Sequence, residues 1–220
     1  MREDWVTAGE YAPRRPWNGI EQRETTLPLF GREIKASEGI VVVMDLSGID
    51  ARERSQTLNG LRLAVKESGQ DVAMRVVVVG REIVVWPEAA AMSTLNDKCR
   101  KALLDWIEQL DQGSPHSSSS TRGKLASAIK EAHAVRNATG GPPSAISVIC
   151  QESDLEDFNP DQLARDTPIH TFAIPRLGSS GWSGQKAQIE KMRVLAEKTK
   201  ATFTVVSDDW IWLYLGHESK

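Results

Sequence analysis

The feature that most constrains this chain begins at Gly39, where short, wholly apolar runs end in polar residues and each is followed by a stretch of helical periodicity. A strand buried on both faces reads as a continuous apolar run, and its alternation with amphipathic helices is the signature of a parallel sheet with helices on both sides. Residues 40–44 (IVVVM) read as the first such strand. Residues 51–68 read as the helix after it, with Leu58, Leu61 and Val65 at helical spacing and Gly69 as its C-terminal cap. Residues 72–79 and 82–86 read as two strands joined by a two-residue turn at Gly80 and Arg81, so one strand must run antiparallel to the rest.

The pattern continues through the chain. A helix is expected over 93–110, starting at Ser93, with Leu95, Leu103, Trp106, Ile107 and Leu110 on one broad side. The loop-like stretch 111–120 leads into a helix over 123–136, closed by Gly140, Gly141, Pro142 and Pro143. A strand at 145–150, a short helix at 160–165, a strand at 169–175, a helix at 185–200 and a strand at 201–206 complete the reading. The expected fold class is α/β, a doubly wound, mostly parallel six-stranded sheet with one antiparallel edge strand and helices on both faces, Rossmann-like in plan. Right-handed crossovers then set the strand order 3-2-1-4-5-6, with strand 3 antiparallel.

Composition removes several functions. With 27 Lys and Arg against 30 Asp and Glu, the net charge of -3 is of the wrong sign for a phosphate-backbone binder, so no nucleic acid partner is expected. Cys99 and Cys150, the two cysteines, have no metal-ligand spacing and suit a reducing compartment. No apolar run approaches the roughly 20 residues of a membrane helix, and the N-terminus lacks the apolar core of a secretory signal, so the expected location is cytoplasmic, with no membrane partner. Enzyme motifs are missing too. Ser47 stands in DLSGI rather than a Gly-x-Ser-x-Gly elbow, no phosphate-cradling glycine pattern occurs, and His116, His133, His170 and His217 are isolated from one another. The acidic run of Glu152, Asp154, Glu156 and Asp157 lacks the EF-hand loop and reads as solvated. No catalytic residue and no tightly held cofactor are expected.

The order of elements, with GIVVVMDLSGID at 39–50, SSSSTRGKLASAI at 117–129, ISVICQESD at 146–154 and IHTFAIP followed by LAEKTKATFTVV, resembles a von Willebrand factor A domain over about residues 39–208. The resemblance implies a divalent-cation site at the carboxyl ends of the central strands, through which many members bind an acidic ligand of a partner protein. Strand ends at a topological switch point form a crevice, and hard cations take several oxygen ligands. The metal residues carried over are Asp45, Ser47, Thr121 and Glu152. The match is degenerate. The first loop of the family reads Asp-x-Ser-x-Ser, and here Ile49 stands where the second serine belongs. Gly123 occupies the place of the family's Thr, with Thr121 two residues early, and Gln151-Glu152 replaces Thr-Asp. Magnesium demands near-octahedral oxygens at about 2.0–2.1 Å, so these departures predict weak binding or none. Asp45 is expected instead to cap the following loop or helix through backbone N–H groups.

The function expected is a non-catalytic protein–protein interaction module with an impaired or absent cation site. The alternatives are metal-dependent adhesion through Asp45, Ser47 and Glu152, and, behind it, a hydrolase or nucleotide-dependent enzyme on a similar sheet. Two flanking segments complete the division of the chain. Residues 1–38 lack sustained periodicity and read as an extended arm carrying Trp5, Trp17 and Phe30, while 209–220 hold an apolar run in which Trp210, Trp212 and Tyr214 are candidate partner-binding residues. Six apolar residues in a row cannot hide every side against one sheet, so this run is expected to meet the arm or another chain.

Overall fold

The computed structural model describes residues 5–6, 25–112, 124–137, 140–150, 155, 167–174 and 182–206, with side chains at 5–6 and 182–188 set aside. The sheet is built around β4 (Ile40–Asp45), every residue of which is buried. It pairs in parallel with β5 (Ala73–Val79) on one side and β8 (Ala145–Cys150) on the other, placing Val42 opposite Val76 and Ser147. β9 (Ile169–Ala173) and β10 (Phe203–Val206) extend the parallel part beyond β8. β6 (Ile83–Trp86) is antiparallel on the far side of β5. The order β6-β5-β4-β8-β9-β10 is the 3-2-1-4-5-6 read from the sequence.

Successive residues of a strand face opposite sides, so each strand feeds two cores. Ile40, Val42 and Met44 join Val76, Val78 and Ile149 beneath α1 (Ala51–Glu67) and α2 (Asp97–Gln112). Val41, Val43, Val77 and Val148 lie with Leu125, Ile129, Met192 and Leu195 from α3 (Lys124–Ala134) and α4 (Trp182–Lys198). Helices thus cover both faces, as continuous apolar strands require.

The structure departs from the sequence reading in five places. First, the arm read over 1–38 contains strands: β1 (Trp5–Val6) pairs in parallel with β10, and β2 (Thr26–Leu29) and β3 (Arg32–Lys35) form an antiparallel hairpin. The hairpin belongs to the core. Leu27, Leu29 and Phe30 are 1% exposed or less, and the Phe30 ring stands 5.7 Å from that of Phe172 on β9. Second, Ser93 does not start the next helix, because Ser93–Thr94 is a short strand, β7, antiparallel to β5 and additional to the single antiparallel strand expected. The cap is Asn96, whose Oδ1 accepts the Cys99 N–H at 2.9 Å.

Third, α1 ends at Ser68 in extended conformation rather than at a left-handed Gly69. Its last carbonyls are taken by Arg100 of α2, which donates to Val65 O, to Ser68 O at 3.0 Å and to Gly69 O at 3.1 Å. Fourth, the β5–β6 turn has three residues, 80–82, with Val79 opposite Ile83. Fifth, the helix read over 185–200 spans Trp182–Lys198, and the strand read over 201–206 spans Phe203–Val206. The short helix read at 160–165 and the apolar run of 209–220 lie outside the described residues.

Candidate functional site

The crevice predicted at the carboxyl ends of the strands is framed by the β4–α1 loop, the β5–β6 turn and the start of α3. The chain leaves β4 at Asp45, and the Leu46 N–H prolongs the ladder by donating to Val79 O at 2.8 Å. Asp45 is 5% exposed. A buried carboxylate needs hydrogen-bond donors, and Ser47 supplies two: its backbone N–H reaches Asp45 Oδ1 at 2.9 Å and its hydroxyl donates to the same oxygen. Gly48 follows at φ +69, in the left-handed region that a side chain rarely adopts, and this turns the loop back towards α1. Asp45 therefore caps the loop, the role expected of it, and the helix is capped by a different residue.

That residue is Asp50. Its Oδ1 accepts the Glu53 N–H at 2.8 Å, and Glu53 Oε2 accepts the Asp50 N–H at 3.2 Å, a reciprocal capping box. The pair was legible as Asp-x-x-Glu ahead of an apolar-periodic stretch, although the sequence reading did not use it. Between the two caps, Ile49 packs half-buried against the apolar cluster under α1 and α2. The position that holds a ligating serine in the resembling family thus carries an apolar side chain that leans on the core here.

The opposite rim carries a second residue that sequence reasoning missed. Lys124, at the first position of α3, reaches across to the β5–β6 turn and donates from Nζ to Arg81 O at 2.6 Å. Of the four metal residues carried over, Asp45 and Ser47 are brought together, while Thr121 and Glu152 lie outside the described residues, as do Gly123 and Gln151. Trp210, Trp212 and Tyr214 lie outside them too. Among the described residues, no group of three or more His, Cys, Asp or Glu is placed to hold a metal ion.

No family model and no curated protein matches the sequence. Solved structures do match in fold. A von Willebrand factor type A protein from Catenulispora acidiphila superimposes with a TM-score of 0.56 at 14% identity, covering 83% of this chain and 43% of its own. The pilus adhesin SpaC from Lactobacillus rhamnosus GG, in its open conformation, gives 0.52 at 9% identity, covering 82% of this chain and 29% of its own. This chain spans less than half the length of either. Strand order, the antiparallel edge and the helices on both faces define a von Willebrand factor A-like α/β fold. No described helix is long and apolar enough to cross a membrane.

Proposed function

We propose that this chain is a non-catalytic protein-interaction module that presents the strand-end face around the β4–α1 loop to a protein partner, with a divalent-cation site that is impaired or lost. The observation that carries the proposal is the state of that loop: Ile49 packs half-buried against the core under α1 and α2, and Asp45 Oδ1 accepts from both donors of Ser47. A carboxylate oxygen held within its own loop favours a rigid docking surface over a cation cradle. On the same face Lys124 ties the start of α3 to the β5–β6 turn through Arg81 O. The fold alone supports many functions and does not decide between them.

Metal-dependent adhesion is the second reading, and the adjacency of Asp45 and Ser47 is the observation in its favour. A cytoplasmic setting is part of our proposal, supported by Cys99 and Cys150 not being joined in a disulfide, the latter being buried against Met192, and subcellular fractionation tests it. The experiment that separates module from enzyme is a thermal-shift screen with nucleotides and with magnesium, calcium and manganese. A specific ligand at 100 times its Kd stabilises by about 2.7 kcal/mol, or roughly 5–10 °C for a domain of this size. Nucleotides are expected to give no shift. A shift of that size with any nucleotide would overturn the module reading.

A further inference from the structure

The two ends of the sheet are finished differently. At one, β6 closes the ladder through a tight turn from β5. At the other, β10 would present a bare row of backbone donors and acceptors, a template for pairing with another strand. That row is filled by β1 in parallel, with Trp5 opposite Val205 and Val6 opposite Val206. β1 is two residues long, and residues 7–24 separate it from the next described residue, Thr25.

We propose that the outer edge of β10 is a strand-exchange site, at which Trp5–Val6 of a second copy of this chain takes the place of the copy's own, so that two molecules exchange N-terminal segments reciprocally. Three observations select this occupant. Among the described residues, Trp5–Val6 is the segment that pairs with this edge besides β9 on its inner side, and every copy carries the same two residues and the same β10. The ladder is made of backbone bonds, so it is identical whether the strand comes from its own chain or from a neighbour.

The third observation is reach. Eighteen intervening residues extend to roughly 60 Å at about 3.3 Å each, whereas a compact domain of this size has a radius of gyration of about 17 Å. A connection that long spans to a neighbouring molecule as easily as it returns to its own sheet. A two-residue ladder is marginal by itself and releases readily. Once one strand has crossed, the second exchange takes place within the pair and closes a two-fold dimer. The first step competes with an effective concentration in the millimolar range, so the dimer is concentration-dependent.

The test is light scattering on the full chain from about 10 μM to about 1 mM, bracketing that effective concentration. The proposal expects a dimer fraction that rises across the range. It expects Val6→Pro, a residue poorly tolerated inside a sheet, to stay monomeric with an unchanged melting temperature and far-UV spectrum. In a measurement independent of that variant, a synthetic peptide of residues 1–24 in excess is expected to convert parent dimers to monomers. A chain that stays monomeric across the range, a dimer fraction undiminished in Val6→Pro, or one indifferent to the peptide overturns the proposal.

Discussion

Replacing a glycine in the interior of a helix by alanine ordinarily stabilises it by about 1 kcal/mol, because alanine loses less backbone freedom on folding. Gly60, in the middle of α1, reverses that sign. A Cβ built there overlaps the Cε1 edge of the Phe30 ring, 2.9 Å from Cδ1 and closer still to Cζ and Cε1. The ring has little freedom to retreat, since Phe30 is 1% exposed, packs against Phe172 and belongs to a hairpin turn at φ +45. Overpacking of this kind costs about 1–3 kcal/mol. After the helix gain is subtracted, Gly60→Ala should destabilise by up to about 2 kcal/mol, a fall of up to roughly 8 °C in Tm for this chain length. The decisive assay is a double-mutant cycle by urea denaturation with Phe30→Leu as the second change. In that background the smaller side chain makes room, and Gly60→Ala should become neutral or stabilising, giving a coupling energy of about 1–3 kcal/mol. A Gly60→Ala variant more stable than the parent, or two substitutions additive within about 0.5 kcal/mol, would refute the docking of the hairpin on α1.

Arg100→Ala should lose about 2–3 kcal/mol, since it removes several charge-assisted bonds to the C-terminal carbonyls of α1, and Arg100→Lys should recover only part of it; thermal denaturation of both variants checks this. His170 should make stability pH-dependent. Burial holds its imidazole below the ordinary value near 6.5, and Nδ1 accepts the Thr202 N–H at 3.3 Å. The unfolded chain therefore binds the proton more readily, so stability is full above about pH 6.5 and is lost as pH falls towards the folded value. His170→Gln should flatten the Tm profile between about pH 7 and 5, and an unchanged slope would remove His170 as its source.

The parallel sheet was legible because burial on both faces favours apolar residues throughout a strand: IVVVM is wholly apolar and AISVIC is interrupted only by the small Ser147. The hairpin was not. Its alternation, Leu27 and Leu29 then Ile34 and Ala36, covers only a few residues, and Pro28 argues against a strand unless that strand lies at an edge, as β2 does in its two-stranded sheet. Ser93 resembles a helix cap locally, but the unpaired flank of β5 recruits it as β7, a tertiary effect with no local signal. The role of Arg100 has no local signal, because it depends on where α1 ends, 32 residues earlier. In the candidate site, Asp45 and Ser47 were legible since they are two residues apart on one loop. The fate of Ile49 was half legible: the sequence denies it an oxygen, and the structure adds that it packs half-buried against the core.

The central claim is that the strand-end face is a docking surface whose cation site is impaired or lost, and calorimetric titration of magnesium into the full chain and its Asp45→Ala variant tests it most directly. The account predicts weak heats or none in the parent, little changed by the substitution, because Ile49 offers no ligand and Ser47 already engages Asp45. A low-micromolar Kd in the parent, abolished in Asp45→Ala, would contradict the account and establish metal-dependent binding at this face.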